Sequence, residues 1–339
     1  MNKELMHLCN GYQQRPRYYD AYFDQLYKFI ESHPSSTMME INQFLNGIIH
    51  NHHDLNTGDM RMIRDARKLH ALQTYKVSEA EADVAIPQLE DGESSELTWH
   101  TINHKRVLVL SDIHFPYHCK QSLMVALRFG RDMDVDAIIL NGDILDFYQL
   151  SKFSKNPKNK SVKDELDIFR FFINQLKQRF PDSTIYFKCG NHELRLEHWI
   201  RNNANQFDGM FELDNLVKFK ENGVVYLKDN VGIKLGKLNI IHGHEIRATM
   251  GAVNIARTYY MKAQANILFG HWHQSQEYIT RTMDGTINGA WTNGCLSKLD
   301  ASYTYGINQW VNGFAYVELL DDSGNFRVSL KKIIQGEVV

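Results

Sequence analysis

The 339-residue sequence is poor in cysteine, balanced in charge and without long apolar runs. The four cysteines lie far apart and form no C-x-x-C pair, which argues against a disulfide scaffold and a zinc knuckle. The formal net charge is −2, so no global signal for nucleic acid or an anionic membrane exists. No run approaches the roughly 18 apolar residues of a membrane span, and the first residues hold no signal-peptide core. These absences predict a cytoplasmic protein with no membrane partner.

The composition predicts a folded chain whose first part differs from the rest. Hydrophobic residues make up 43 %, enough for a sizeable core. Residues 1–100 hold nine Lys/Arg and 15 Asp/Glu, whereas the remainder has a basic excess. We therefore predict three segments: a helical N-terminal region over 1–86, an acidic linker over 87–98 rich in Glu, Asp, Ser and Gly, and a larger domain over 99–339.

Apolar residues in the N-terminal region recur at helical spacing. Tyr22, Phe23, Leu26, Phe29 and Ile30 share one face of a first helix. A second helix is expected after a cap at Ser36 or Thr37, and a third from about Asp59.

The larger domain alternates short apolar runs with helical stretches. Runs such as Val107–Leu110 and Ala137–Leu140 read as strands, and Asp164–Phe180 reads as an amphipathic helix. Further strands are expected in the second half: Leu238–Ile241, Ile267–Phe269, Tyr278–Thr282, Thr286–Gly289 and Phe314–Leu319. The order predicts an α/β fold, a sandwich of two mixed β-sheets flanked by helices.

Each of five apolar runs ends in side chains that bind metals. The pairs or single residues are Asp112 with His114, Asp143, Asn191 with His192, His242 with His244, and His271 with His273. Ligands of α/β sheets bind beyond the carboxyl ends of the strands, so these side chains are expected to converge. No G-x-G-x-x-G follows the first strand, which disfavours a dinucleotide-binding domain.

These blocks resemble those of the calcineurin-like metallophosphoesterase superfamily over about residues 105–295, and the run 143–153 resembles a branch found in phages and prophages. The resemblance implies a bacterial or phage-encoded hydrolase with two divalent ions per chain. Asp112, His114, Asp143 and His273 would hold one ion. Asp143, Asn191, His242 and His271 would hold the other, so that Asp143 bridges both.

Mixed oxygen and nitrogen ligands suit Mn²⁺, our first expectation, and also Fe, Zn²⁺ or Co²⁺. The family's chemistry is attack of metal-activated hydroxide on a phosphate ester. The resemblance makes His192 the general acid for the leaving alcohol or a stabiliser of the transition state. Asp146 is expected to orient a ligand histidine or to cap a helix, and His244 to lie behind the ligands, to touch substrate or to face solvent.

Substrate contacts are predicted at Arg195, which could clamp a phosphate oxygen, and at Lys155, Lys158 and Lys160, a lysine strip that could follow successive phosphates. The alternative interpretation of the lysine strip is a solvated loop. Trp291, Asn293 and the stretch Tyr303–Tyr305 are candidates for the opposite rim. We favour a phosphodiesterase acting on nucleic acid or a nucleotide. The alternatives are a phosphomonoesterase, and a DNA-associated binding module in which Arg61, Arg64, Arg67 and Lys68 form a basic helix face. The oligomeric state stays open.

Overall fold

A computed structural model describes residues 19–49, 55, 57–74, 96–152, 160–247, 253–301 and 307–339. The chain divides into two compact units, Met1–Gly92 and Glu93–Val339. The predicted acidic linker lies outside the described residues except for its last three, the last of which, Thr98, begins the first strand. In the described part of the chain, no helix has the length and apolar character needed to cross a membrane.

In the described part of the N-terminal unit there are three helices, as the apolar spacing predicted: α1 (Tyr19–Ser32), α2 (Met38–Ile48) and α3 (Thr57–Thr74). Thr37 caps α2, because its hydroxyl accepts from Glu40 N while the Glu40 carboxylate accepts from Thr37 N. The helices share a core of their own: Phe23, Leu26, Ile30, Ile41, Leu45, Ile49, Met62, Ile63, Ala66 and Leu69. Arg67 of the predicted basic face donates to the Ser36 carbonyl at 2.7 Å and so belongs partly to this packing.

The second unit is built on two mixed sheets. The first has the order β1-β6-β7-β8-β10-β9 and the second β13-β12-β11-β2-β3-β4-β5. The strands are β1 (Thr98–Ile102), β2 (Arg106–Leu110), β3 (Ala137–Asn141), β4 (Thr184–Lys188), β5 (Val224–Leu227), β6 (Val231–Leu235), β7 (Leu238–Ile240), β8 (Ile267–Phe269), β9 (Ser275–Arg281), β10 (Ile287–Asn293), β11 (Gly313–Leu319), β12 (Phe326–Ile334) and β13 (Glu337–Val338).

Strand β2 explains why two cores form. Its alternate residues Val107 and Val109 enter the core between the sheets, while Leu108 and Leu110 enter the core under the helices. Both faces of a central parallel strand are therefore buried, which is why the run is apolar throughout.

Five helices cover the outer faces: α4 (Lys120–Asp132), α5 (Val162–Arg179), α6 (Leu194–Asn203), α7 (Leu213–Val217) and α8 (Ile255–Ala263). The buried face of α5 contributes Leu166, Phe169, Phe172, Ile173 and Leu176 to the helix-side core, and α8 packs on the other sheet. This arrangement confirms the predicted sandwich of two mixed sheets flanked by helices.

Parallel pairing brings the strand ends to one rim. Strands β2, β3 and β4 are parallel in one sheet, and β7 and β8 are parallel in the other. Each of these five strands is followed by one of the polar blocks.

Candidate metal centre

Two groups of buried or half-buried side chains meet at the rim. Asp112, His114 and His273 form one group, and Asp143, His242 and His271 form the other. Within each group the possible ligand atoms lie within 4.8 Å of one another. A third overlapping group contains His114, Asp143 and His192. The structure thus brings together six of the seven predicted ligands. The seventh, Asn191, belongs to the adjoining loop, where the His192 amide donates to Asp143 Oδ1 at 2.8 Å.

The loops that carry these side chains turn through an unusual backbone. Five of the predicted ligands have φ between 52° and 67°: Asp112, His114, Asp143, His271 and His273. This left-handed region is uncommon for residues with a side chain and is concentrated at functional sites. Two glycines permit the close approach, because a methyl group on Gly190 would overlap the Asp143 carboxylate and one on Gly270 would overlap that of Asp112.

The tautomer of His114 follows from its hydrogen bond. Nδ1 lies 3.0 Å from Asp146 Oδ2, which assigns the ring proton to Nδ1. The lone pair of Nε2 then faces His273 Nε2, 3.1 Å away. His273 Nε2 in turn lies 3.2 Å from Asp112 Oδ1. Two imidazole nitrogens and a carboxylate oxygen therefore point at one small space, as the ligands of a cation do.

His242 repeats this pattern in the second group. Its Nδ1 lies 2.9 Å from the Asn141 carbonyl and carries a proton, while Nε2 lies 3.2 Å from Asp143 Oδ2. Burial opposes a positive charge on this ring, but the carboxylates of Asp143, Asp112 and Glu245 outweigh it and raise the pKa of His242 to about 10. The same field favours any cation that takes the place of the proton.

The donor set fits divalent metal ions. Among the described residues, the buried polar atoms without a hydrogen-bond partner include three from the predicted ligands: Asn191 Oδ1, His242 Nε2 and His271 Nδ1. Buried polar atoms are normally satisfied, and metal coordination would satisfy such atoms. Carboxylate, amide and imidazole ligands together suit Mn²⁺, Fe²⁺, Co²⁺ or Zn²⁺ rather than Ca²⁺.

His192, Asp146 and Arg195 form a connected unit beside the ligands. The His192 Nδ1 lies 3.1 Å from the Asp146 carbonyl, and its Nε2 lies 2.9 Å from Arg195 NH2, which can only donate. Arg195 NH1 also donates to the Asp146 carbonyl at 2.8 Å. Burial lowers the pKa of His192 to about 3, so the ring is neutral at pH 7 and accepts at Nε2.

Glu193 supports the loop that carries Asp143. Its two oxygens accept from the amides of Asp143, Ile144, Leu145 and Gly190 at 2.8–3.0 Å. From the sequence alone, a cap or an ion pair with Arg195 is the expected role of this residue. An acidic side chain directly after His192 is a weak sequence signal for a structural role. The role can be assigned only from the fold, which places two loops around the Glu193 carboxylate.

An ion pair between Lys188 and Glu245 was not predicted. Lys188 Nζ lies 2.8 Å from Glu245 Oε1, and Lys188 is fully buried at the end of β4. Glu245 accepts from the amides of His242 at 3.2 Å and Gly243 at 2.6 Å. The pair therefore fixes the loop that carries His242. The sequence offered one signal for this ion pair. Two apolar runs are each followed by a charged residue, and the two charges have opposite signs.

The remaining predicted residues are placed differently. Lys160 is exposed just before Ser161, the cap of α5. Lys155, Lys158 and the rim candidates Tyr303–Tyr305 lie outside the described residues. His244 is partly buried, with Nδ1 3.5 Å from Glu245 Oε2, and burial lowers its pKa. Trp291 is only 8 % exposed and packs on Phe326 in the core between the sheets, so it does not form the predicted rim. Asn293 is fully buried and accepts from the Ser111 hydroxyl.

Comparisons with known proteins found similar sequences, similar structures and a matching family model. The chain is 24 % identical over 246 residues to the Gene 54 protein of Mycobacterium phage L5, a match that covers 68 % of this chain and 95 % of that protein. Among solved structures, Vacuolar Protein Sorting 29 from Cryptosporidium parvum aligns over 70 % of this chain and 95 % of its own, with 14 % identity and a TM-score of 0.39. The phosphoesterase Yfce from E. coli aligns over 66 % and 98 %, with 12 % identity and a TM-score of 0.32. A family model described as calcineurin-like phosphoesterase matches residues 105–275, half of the chain and nearly all of the rim. The chain belongs to the calcineurin-like phosphoesterase family.

Proposed function

We propose that this protein is a dinuclear metal-dependent phosphodiesterase that hydrolyses nucleic acid or a nucleotide. The observation that carries the reaction class is the meeting of the two ligand groups, built around Asp112 and Asp143, at one rim. Since His114 Nε2 lies 3.9 Å from Asp143 Oδ2, the two groups are adjacent.

The assignment of ligands follows the contacts. Asp112, His114 and His273 would hold one ion, and Asn191, His242 and His271 the other, with Asp143 shared. When bound, two such ions supply Lewis-acid activation of a phosphoryl oxygen and of the attacking water. Mn²⁺ is the first candidate because manganese accepts both carboxylate and imidazole ligands.

The chain's own groups then act on the substrate. Asp146 holds the His114 ring through Nδ1 and anchors Arg195. His192 is neutral and faces Arg195 in the absence of substrate. An anionic phosphate that enters between them would draw away the guanidinium and add negative charge, and both changes raise the pKa of His192. The imidazole could then carry a proton at Nε2 for the leaving oxygen.

A diester is favoured over a monoester for two reasons. One N–H on each of Nη1 and Nη2 of Arg195 is already directed at Asp146 or His192, so the guanidinium does not present its full fork to a phosphate dianion. The lysine strip offers several positive charges in a row, which suits a polymer with successive phosphates better than a single phosphate group.

The first experiment is an activity panel on Mn²⁺-loaded protein. It compares bis-p-nitrophenyl phosphate, p-nitrophenyl phosphate, cyclic nucleotides, single-stranded DNA and duplex DNA, with the D143N variant as the inactive control. We expect faster hydrolysis of the diesters. A clear preference for p-nitrophenyl phosphate, combined with no cleavage of DNA or nucleotides, would contradict the proposal.

The second experiment tests the lysine strip. Replacing Lys155, Lys158 and Lys160 with Ala should weaken oligonucleotide binding and flatten its salt dependence, with little effect on a small diester. The matched control replaces three exposed lysines at the opposite ends of the strands, Lys234, Lys237 and Lys262, and should keep the parent's salt dependence. If both triple variants bind the oligonucleotide with the same affinity and salt dependence, the lysine strip does not bind the substrate.

A further inference from the structure

One aromatic side chain borders the metal centre without a role in the mechanism. The ring of Trp310 lies against that of His273, with the ring centroids 4.2 Å apart and the planes inclined by 59°. Trp310 is partly exposed, in contrast to Trp291. Trp310 therefore lies between His273, a predicted ligand of the first group, and the solvent.

The segment around Trp310 is fixed by hydrogen bonds. The Trp310 amide donates to Asn308 Oδ1 at 3.0 Å, and Asn308 Nδ2 donates to the Leu299 carbonyl at 2.7 Å. On the other side, the Val311 amide donates to the carbonyl of His273 itself at 2.8 Å. The indole is thus held in place before any ligand arrives, so stacking on it orders little additional chain.

A polar group accompanies the ring. Gln309 is exposed next to Trp310, and its Oε1 accepts from Gln274 Nε2 at 3.1 Å. Gln274 follows the ligand His273 directly. An indole face with an amide beside it is a surface that suits a flat heteroaromatic group with hydrogen-bonding edges, such as a nucleobase.

We propose that Trp310 is a stacking platform for the nucleobase next to the scissile phosphate. This inference rests on the proposed phosphodiesterase function and narrows its substrate to a nucleotide unit with a base stacked beside the first ligand group. Stacking on an aromatic side chain contributes about 1–3 kcal/mol per base and discriminates little between bases. Recognition by Trp310 therefore favours a sequence-tolerant enzyme.

The binding test needs no turnover. Thymidine 5′-monophosphate and ribose 5-phosphate are titrated into the parent and into W310L, W310F and W99L, with tryptophan fluorescence and calorimetry as readouts. Trp99 is 42 % exposed on the edge strand β1 and serves as the matched control. We expect W310L to weaken nucleotide binding about 5- to 150-fold, the equivalent of 1–3 kcal/mol. W310F should retain most of the parent's affinity for the nucleotide. Ribose 5-phosphate should bind all four proteins with similar affinity.

The activity test separates stacking from shielding of His273. Thymidine 5′-(p-nitrophenyl phosphate) and methyl p-nitrophenyl phosphate have the same leaving group, but only the first has a base. W310L should raise KM for the thymidine ester and leave the methyl ester and Mn²⁺ binding nearly unchanged. Equal losses on both esters, or a loss of Mn²⁺ binding that W310F does not restore, would overturn the stacking role.

Failure of the inference differs from failure of the proposed function. If the parent cleaves both esters and W310L behaves like the parent, the diesterase proposal stands and the stacking role is wrong. If the parent cleaves neither ester but binds the nucleotide through Trp310, the diesterase proposal is wrong and the stacking role stands.

Discussion

The Lys188–Glu245 pair gives the sharpest prediction from the structure. Lys188 is fully buried, and the Glu245 side chain is 11 % exposed, so removal of the lysine leaves a nearly buried carboxylate without its partner. Breaking one side of a buried ion pair typically destabilises a protein by about 3–5 kcal/mol. We expect K188M to lose this amount, together with the rigid loop that presents His242.

The pKa of Glu245 leads to the same magnitude. Burial raises this pKa, but Lys188 and the neighbouring histidines outweigh burial and lower it from 4.5 to about 2. A shift of this size corresponds to about 3 kcal/mol. Because the folded-state value is depressed, the stabilisation is present above pH 4.5 and is lost as the pH falls from about 4.5 to 2.

The assay is urea unfolding of K188M, E245Q and the double variant in EDTA, followed by a Mn²⁺ titration. The free energy of unfolding of K188M should be lower than that of the parent by about 3 kcal/mol. In a thermal experiment this corresponds to a melting temperature lower by about 6–12 °C. The double variant should recover part of the loss because no charge is left unpaired. Mn²⁺ should bind all three variants more weakly, since each change removes part of the brace on the His242 loop. A K188M loss below about 1 kcal/mol, or a double variant worse than the sum of the singles, would refute the reasoning.

Three further predictions concern single side chains. D143N should remove most activity and reduce Mn²⁺ binding from two ions per chain, as measured by calorimetry; fewer than one ion in the parent would contradict a dinuclear centre. H192A should keep metal binding and slow turnover by about 10²-fold or more, with smaller losses for good leaving groups; equal losses for nitrophenyl and alkyl esters would argue against acid catalysis. Burial raises the pKa of Glu165 to about 8, so its folded form holds an extra proton between pH 4.5 and 8, and stability should fall as the pH rises through this range. E165Q should remove up to about 5 kcal/mol of that pH dependence in unfolding experiments, and an unchanged pH profile would exclude a buried, protonated Glu165.

The central strands of the fold were predictable because both of their faces are buried. Runs such as Ala137–Leu140 are apolar at every position and end in turn residues. Strands β1, β5, β6, β12 and β13 were not predicted. β1 and β12 leave most of their residues exposed or half-exposed, so their apolar pattern is weak. The pairing of β1 with β6 joins Thr98 to Val231, a contact that only the tertiary fold creates.

The position of the candidate site could be predicted, because every predicted ligand block follows a strand that ends at the same rim. The roles of the individual ligands stay predictions. The contacts that position them could not be predicted from the sequence, since most of them join residues about 30 to 180 positions apart. Glu193 reaches the loop of Asp143, and Lys188 reaches Glu245. Trp310 was missed because nothing in its neighbours marks it; only its contact with His273 does.

The left-handed backbone at five ligand positions limits how this scaffold can be redesigned. Asp, Asn and His enter that region several times more often than other side chains, and each residue held there can cost about 1–3 kcal/mol. The residue types proposed as metal ligands are thus also those that strain the loops least. Exchange of His271 or Asp112 for cysteine, to attract softer metals, would have to overcome the backbone preference as well as the change of ligand. Engineering of metal selectivity should therefore begin with Asp, Asn and His permutations.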